Sequence, residues 1–275
     1  MQDLPEGIWP VMLTPFQENG GIDFNGLRLL TEFYLASGAS GLFANCLSSE
    51  MYQLSPTERL EVTKAVVRAA DGEVPVVSTG NFSMEQNVNV EFMSKIYEQG
   101  VQGVVINTSQ LCHESEGEDI FRERMENLVD ACVEMPLGIY ECPEPYKRPL
   151  TKDMLARMAA SGRFSYFKDT SCNNEQIRDR LSVSTGSPLA LFNANTPTAL
   201  QSLRDGAAGL SPIGANFFPE LFYFLYEHAM EEQTEAVERV HRFLSVSDLV
   251  VHALYPFSAK WFLQQRGLDL STVTR

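Results

Sequence analysis

The chain has 275 residues, of which 44% are hydrophobic and 21% are charged, and its formal net charge is −15. This length allows one large globular domain or two small ones, with enough chain to bury a sizeable core. The negative charge argues against a nucleic-acid partner, because it repels a phosphate backbone, but it leaves room for a small anionic substrate at a locally positive site.

The sequence carries no recognisable targeting segment and no cysteine framework. The first residues, Met-Gln-Asp-Leu-Pro, include neither the basic start nor the apolar stretch of a secretory signal, and no apolar run reaches the length of a membrane span. The five cysteines are odd in number and form no CxxC pair, which argues against a disulfide framework and a structural zinc site. We therefore expect a cytoplasmic protein with no membrane partner, no metal and no cofactor.

Short apolar segments and amphipathic segments alternate along the chain. The predicted strands cover residues 7–16, 41–46, 74–79, 103–108, 137–142, 164–169, 189–193 and 209–214. The predicted helices lie near residues 23–37, 55–70, 84–99, 118–133, 151–160, 176–181 and 196–206, and helical patterning resumes from Pro219 with a break near Tyr255-Pro256. Asp23 is a candidate N-cap, and Ser55-Pro-Thr-Glu58 is a capping box with proline at the first helical position.

Eight strands, each followed by a helix, indicate a parallel sheet, and eight such units in about 215 residues fit a closed (β/α)8 TIM barrel. Residues 1–218 would form this barrel as the catalytic domain, and residues 219–275 would form additional C-terminal helices packed on it. A doubly wound open sheet is the alternative. Against it, no GxGxxG follows the first strand and no glycine-rich phosphate loop occurs elsewhere.

Active sites of such barrels lie at the C-terminal ends of the strands. The polar residues predicted at those ends include Thr14, Asn45, Ser48, Ser49, Thr79, Asn107, Tyr140, Lys168, Asn193 and Gly214. In the strand 164–169, alternation puts Phe164, Tyr166 and Lys168 on one face. Burial of a lysine disfavours its charged form, and a free amine attacks carbonyl carbon to form a Schiff base. Tyr140 could exchange a proton beside that amine.

Several motifs carry a resemblance that extends over nearly the whole chain. They are Val11-Met-Leu-Thr-Pro-Phe16 with Gly21-Ile-Asp23, Leu54-Ser-Pro-Thr-Glu-Arg59, Tyr140-Glu-Cys-Pro143, Phe167-Lys-Asp-Thr-Ser171, and Pro256-Phe-Ser-Ala-Lys260 with Gly267-Leu268. In order and spacing, the chain resembles the dihydrodipicolinate synthase / N-acetylneuraminate lyase family of Schiff-base class I aldolases.

The resemblance implies a function and assigns roles to residues. Lys168 would form the imine, Tyr140 would transfer protons, and Ser48 and Ser49 would bind the substrate carboxylate. Asn193 and Gly214, at two other strand ends, are further candidate substrate contacts. The expected enzyme is a carbon-carbon or carbon-oxygen lyase acting on pyruvate or another 2-oxo acid, and a 2-keto-3-deoxy sugar acid or a related compound is a candidate for cleavage. The family also implies a homo-oligomer, either a dimer or a tetramer.

The sequence departs from the family pattern around the proton relay. Leu47 stands where the family has a relay hydroxyl, and Cys46 and Ser49 replace the two glycines of the same loop. The segment 107–113 contains no tyrosine, although the family places one after the fourth strand. Where dihydrodipicolinate synthases carry an arginine after the tyrosine motif, this chain has Pro145, and Lys147 is the nearest cation.

These departures leave other functions open. One alternative is a catalytically impaired barrel that keeps the lysine and binds or senses a 2-oxo acid. Another is a metal-dependent aldolase that uses His113 and neighbouring cysteines, although no local spacing indicates a ligand set.

Overall fold

A computed structural model describes residues 4–231 and 235–275 and contains eight parallel strands. They are β1 Gly7–Ile8, β2 Leu42–Ala44, β3 Val76–Thr79, β4 Gly103–Asn107, β5 Leu137–Tyr140, β6 Phe164–Asp169, β7 Ala190–Asn193 and β8 Gly209–Leu210. The sheet order is β1-β8-β7-β6-β5-β4-β3-β2, and the parallel bridges Ile8–Ala39 and Val11–Phe43 bring β1 and β2 together. The predicted (β/α)8 barrel is confirmed, and the open sheet is not formed.

The helices surround the barrel. They are α1 Phe24–Ala36, α2 Pro56–Ala70, α3 Gln86–Tyr97, α4 Glu118–Ala131, α5 Lys152–Ser161, α6 Asn174–Ser184, α7 Ala199–Arg204, α8 Pro219–His228, α9 Glu235–Val251 and α10 Phe257–Gln265. Asp23 caps α1 through its side chain, and Ser55 and Glu58 form the capping box of α2. Both sequence predictions of helix starts are confirmed.

The first and last strands are shorter than predicted. The predicted strand 7–16 forms only Gly7–Ile8, and Pro10 and Pro15 lie in the part that does not pair as a continuous strand. Proline has no N–H to donate to a ladder, so each one interrupts regular pairing. Similarly, 209–214 forms only Gly209–Leu210, because Pro212 begins a 3-10 turn over Ile213–Asn216.

Two apolar layers hold the barrel together. One fills its interior, where Tyr166 stacks on Phe192 with ring centroids 4.8 Å apart and lies 5.2 Å from Trp9. The other lies between strands and helices and includes Phe164 and Phe167. The pairing register of β5 and β6 shifts beside Leu137, so the Phe164 side chain lies in the outer layer while Tyr166 lies in the interior. The prediction that Phe164 shares a face with Tyr166 is therefore wrong.

The C-terminal helices cover one end of the barrel. Helix α8 packs on β1 and β8, and α9 packs on the 3-10 turns at Thr196–Thr198 and Ile213–Asn216, which follow β7 and β8. The break predicted near Tyr255 separates α9 from α10. The division of the chain at residue 218 stays a prediction. Within residues 4–231 and 235–275, no helix has the length and apolar character needed to cross a membrane.

Candidate active site

A cavity of about 800 Å³ opens at the C-terminal ends of the strands. Its wall includes residues from the loop after β2, from β5 and β6, and from the segments around α9 and the C-terminus. Among the lining residues are Ser48, Tyr140, Lys147, Lys168, Asn195 and Tyr255. This position is the one at which (β/α)8 barrels bind substrates.

Lys168 reaches this cavity from β6. Its side chain is only 3% exposed, and its Nζ lies 4.6 Å from the ring centroid of Tyr140 and 5.8 Å from that of Phe43. Burial among these rings lowers the pKa of the lysine to about 8, although the thiols of Cys46 and Cys142 oppose the change. At neutral pH about a tenth of such amines are uncharged, against well under 0.1% for a lysine in water. The site therefore supplies a nucleophilic amine.

Tyr140 lies directly beside Lys168 because the two residues are paired in the register of β5 and β6. The tyrosine is 3% exposed, and burial raises the pKa of its hydroxyl well above the ordinary value. The phenol consequently stays protonated in the resting site and is available as a proton donor. The structure thus brings the amine and the phenol together at the adjacent ends of two strands.

A buried ion-pair cluster holds the same two strands from the outside of the barrel. Arg180 of α6 contacts Glu141, with an Nη2–Oε1 distance of 2.6 Å, and also bonds to the carboxylate of Asp169. Glu141 and Asp169 are fully buried. Glu141 follows Tyr140 in the sequence, and Asp169 follows Lys168. Because neighbouring residues of a strand face opposite sides, the ion-pair cluster fixes the two strand ends without entering the cavity. Glu141 therefore faces away from Tyr140.

The loop after β2 forms a 3-10 turn over Leu47–Ser49. The left-handed backbone positions fall at Asn45, with φ of 46°, and at Glu50, with φ of 56°, whereas Cys46 has an extended φ of −108°. Asn45 is anchored by hydrogen bonds from its Nδ2 to the backbone oxygen of Arg59 and to Thr63. Cys46 therefore replaces the family's glycine at a position where a side chain causes no backbone strain.

Ser48 lies in the wall of the cavity, but the other three expected substrate contacts do not. The hydroxyl of Ser49 donates to the backbone oxygen of Met12 at 2.6 Å. The amide of Asn193 donates to Thr198 and Ser202. Gly214 packs on α8, where a Cβ would lie 2.8 Å from the Phe222 ring. Beyond β7 and β8, Asn195 and Ile213 line the cavity instead.

Tyr255 is a site residue that the sequence analysis did not identify. It precedes the proline that separates α9 from α10, and it lines the same cavity as Ser48. Asn216 donates to the Tyr255 hydroxyl at 2.7 Å. The only sequence signal was the predicted helix break, which gave no indication that the tyrosine returns to the loop after β2.

The C-terminal motif contacts the loop after β2. The Nζ of Lys260 lies 2.6 Å from Glu50 Oε1, both side chains are buried, and Lys260 also donates to the backbone oxygen of Val273. The backbone N–H of Arg275 donates to the other oxygen of Glu50 at 2.6 Å. The loop motif and the C-terminal motif identified in the sequence therefore meet in one ion pair.

The cysteines are all free thiols, and only Cys172 is exposed. Cys172 lines the cavity, Cys46 and Cys142 lie under it, and Cys112 is buried beside Tyr146. Across the described ranges, no three histidine, cysteine or acidic side chains converge as metal ligands would. The residues around His113 therefore do not fit the metal site considered from the sequence.

Comparison with known proteins gives one consistent family. Residues 4–275 match the model of the dihydrodipicolinate synthetase family. A 4-hydroxy-tetrahydrodipicolinate synthase from Haloarcula marismortui is 26% identical over 98% of this chain and 83% of its own length. The enzyme of the same name from Staphylococcus carnosus is 26% identical over 90% of this chain and 84% of its own length.

Solved structures agree on the fold. The dihydrodipicolinate synthase from Acinetobacter baumannii, solved in complex with pyruvate, superposes with a TM-score of 0.87 at 19% identity, covering 98% of this chain and 91% of that one. YagE from Escherichia coli K12, also solved with pyruvate, gives a TM-score of 0.87 at 21% identity with the same coverage. At these identities the likeness establishes the barrel fold.

We expect Arg180→Met to lower the free energy of unfolding by about 3–5 kcal/mol, because it leaves two buried carboxylates without their cation. Urea unfolding of both proteins measures the change. Arg178→Met is the matched control, since Arg178 lies on the same helix in an exposed pair with Asp205 at 3.4 Å and should cost less than about 1 kcal/mol. Equal losses in the two variants would contradict the role assigned to the buried cluster.

Lys168→Met should stabilise the protein at neutral pH. The unfolded chain holds the lysine proton up to the ordinary pKa of 10.5, whereas the folded chain releases it near 8, so wild-type stability rises as the pH increases between these values. The variant lacks this dependence and should be more stable by about 3 kcal/mol at pH 7, with the gain shrinking towards about pH 10. Urea unfolding across this range tests it. Lys152→Met, at an exposed lysine, should show no such trend.

Proposed function

Because the chain belongs to the dihydrodipicolinate synthetase family of lyase-type aldolases, we propose that it makes or breaks a bond of a 2-oxo acid bound as a Schiff base to Lys168. The observation that carries the proposal is the pairing of Lys168 and Tyr140 in one cavity, with the pKa of the amine lowered to about 8 by burial. An unprotonated amine is what carbonyl attack requires.

The first step is imine formation. The lone pair of Lys168 Nζ attacks the C2 carbonyl carbon, a proton reaches the oxygen, and loss of water leaves a protonated imine. Tyr140 is the proposed proton donor, because its hydroxyl remains protonated and its ring lies beside the amine. The aromatic rings of Phe43 and Tyr140 keep the amine desolvated before the substrate enters.

The second step uses the imine as an electron sink. In the cleavage direction the C3–C4 bond breaks, its electron pair forms an enamine with the imine, and the C4 hydroxyl loses its proton as the aldehyde departs. Protonation of the enamine at C3 and addition of water then release pyruvate and the free lysine. The reverse sequence joins pyruvate to an aldehyde. Tyr140 serves as acid and base in both directions.

The substrate carboxylate is assigned to Ser48. Ser48 lies in the cavity wall, and Tyr255 lines the same cavity. Ser49 was expected to share this role, but its hydroxyl and its backbone N–H are both engaged within the protein, with Met12 and Cys46. The proposal therefore places Ser48 and Tyr255 at the carboxylate and leaves Ser49 as a support of the turn.

The rest of the substrate is proposed to be a polyhydroxylated chain, as in a 2-keto-3-deoxy sugar acid. The outer wall carries mixed polar groups, namely Lys147, Asn195 and Asp248, and Pro145 stands at the position where dihydrodipicolinate synthases carry an arginine. Neutral hydroxyls suit such a wall, because they accept from a lysine and donate to a carboxylate. The acidic residues Asp248 and Glu144 also line the cavity, together with the cations Lys147 and Arg275, so hydroxyls find both donors and acceptors there.

Borohydride trapping tests the chemistry. Incubation with pyruvate and borohydride should add one reduced adduct per chain, located at Lys168 by peptide mass spectrometry. Lys168→Met should abolish the adduct, and Lys147→Met, which alters another lysine of the same cavity, should retain it. Absence of an adduct with pyruvate and with a panel of other 2-oxo acids would overturn the proposal. If the adduct forms, release of pyruvate from one of a panel of 2-keto-3-deoxy sugar acids would identify the substrate.

A binding or sensing protein is the second candidate function. Leu47 lines the cavity at the position of a relay hydroxyl and cannot transfer a proton. An adduct on Lys168 without pyruvate release from any sugar acid, and without condensation of pyruvate with aldehydes, would favour this candidate.

We also propose that the chain assembles as a homo-oligomer. Helix α9 and the residues after it carry several exposed apolar side chains, namely Val246, Leu249, Val250 and Leu254. Contiguous exposed apolar groups of this kind favour protein contact. Sedimentation of the wild-type chain should show a dimer or tetramer, and Leu249→Glu should shift it towards monomer. A monomeric wild-type chain at micromolar concentration would contradict this proposal.

A cytoplasmic location is likewise proposed. It is supported by the five cysteines, none of which is paired in the structure, because free thiols persist in reducing compartments.

A further inference from the structure

We propose that Asn216 is a positioning residue that fixes the hydroxyl of Tyr255 as a hydrogen-bond donor to the carboxylate of the bound 2-oxo acid. The inference rests on the proposed Schiff-base function and deepens it, because it states how the protein sets the direction of one hydrogen bond to the substrate. Asn216 lies in the 3-10 turn after β8 and is fully buried, so it acts on the substrate only through Tyr255.

The surroundings of Asn216 allow its side-chain amide only one orientation. Its Nδ2 lies 2.9 Å from the backbone oxygen of Val11, which can only accept, so the amide atom at this place must carry hydrogen. Its Oδ1 accepts from the hydroxyl of Tyr34, a fully buried residue of α1. The opposite orientation would set the amide oxygen against the oxygen of Val11.

This orientation decides the direction of the hydrogen bond between Asn216 and Tyr255. Nδ2 has a second hydrogen, and it donates this hydrogen to the Tyr255 hydroxyl at 2.7 Å. Within residues 4–231 and 235–275, the hydroxyl forms no other hydrogen bond. Burial raises the pKa of Tyr255 well above the ordinary value, so the phenol keeps its proton. Its oxygen therefore accepts from the protein, and its O–H remains to be donated.

The cavity is the place where this O–H can find an acceptor. Tyr255 lines the cavity together with Ser48 and Lys168. An ionised carboxylate only accepts hydrogen bonds, and a bond to a charged acceptor is roughly twice as strong as one between neutral groups. A hydroxyl whose oxygen is already occupied by an amide therefore favours a carboxylate over a group that must donate.

Pyruvate and its neutral methyl ester, each trapped on Lys168 by borohydride over a range of concentrations, measure this role. Tyr255→Phe keeps the aromatic ring and removes the donor. We expect the half-saturating concentration to rise about tenfold or more for pyruvate and less than about threefold for methyl pyruvate, because only pyruvate presents a charged acceptor. The maximal amount of adduct should equal that of the wild type, since the amine is unchanged.

Tyr34→Phe is the matched control. It also removes a buried phenol hydroxyl bonded to Asn216, but Tyr34 does not line the cavity. The bond to Val11 still orients the amide, so the half-saturating concentration of pyruvate should stay within about threefold of the wild-type value.

Asn216→Asp tests the direction of the hydrogen bond without altering Tyr255. The new carboxyl group has at most one proton for Val11 and Tyr255 together, whereas the amide has two. Because the backbone oxygen of Val11 can only accept, the Tyr255 hydroxyl loses its donor and turns its own proton away from the cavity. We expect the half-saturating concentration of pyruvate to rise about tenfold, as in Tyr255→Phe.

Several outcomes would overturn the inference and leave the proposed function intact, because the adduct on Lys168 still forms. They are wild-type half-saturation by pyruvate in Tyr255→Phe, equal losses for pyruvate and methyl pyruvate, and equal losses in Tyr255→Phe and Tyr34→Phe. Should Tyr255→Phe not fold, wild-type half-saturation in Asn216→Asp would overturn it independently. Failure of the wild-type protein to form an adduct with any 2-oxo acid would instead overturn the proposed function and the inference with it.

Discussion

The site depends on the register of two neighbouring strand ends, which a buried cation fixes from outside the barrel. Arg180 bonds to Glu141 and Asp169, the residues that follow Tyr140 and Lys168. A buried ion pair contributes little net stability compared with well-packed apolar residues, because desolvation offsets the attraction. Its contribution here is geometric: a slip of either strand by one residue would exchange the carboxylate side for the cavity side.

The same alternation creates two opposite electrostatic environments within a few residues of β6. On the outer face, burial alone would lower the pKa of Arg180, but the two carboxylates outweigh it and raise that pKa. On the inner face, Lys168 has aromatic rings around it, and no carboxylate of residues 4–231 or 235–275 lies within salt-bridge distance, so burial lowers its pKa. An acidic partner at Lys168 would stabilise the ammonium and remove the nucleophile. The separation of carboxylates from the amine is therefore part of the chemistry.

The sequence predicts local features well and long-range contacts poorly. The barrel, the caps at Asp23 and Ser55, and the strand 164–169 follow from patterns of a few residues. The residue that faces the cavity at a strand end is harder to predict, because a bulge or a turn changes which side chain points there. Asn195 lines the cavity, for example, whereas Asn193 bonds to Thr198. Tyr255 reaches the cavity that Ser48 lines only through tertiary packing, so no local pattern could have identified it.

The departures from the family pattern lie in two segments that contact each other. The loop that has Leu47 in place of a hydroxyl also supplies Tyr52 a few residues later, and the segment without a tyrosine supplies the amides of Asn107 and Gln110 that hold it. The two segments that depart from the family pattern are therefore held together by hydrogen bonds within one chain.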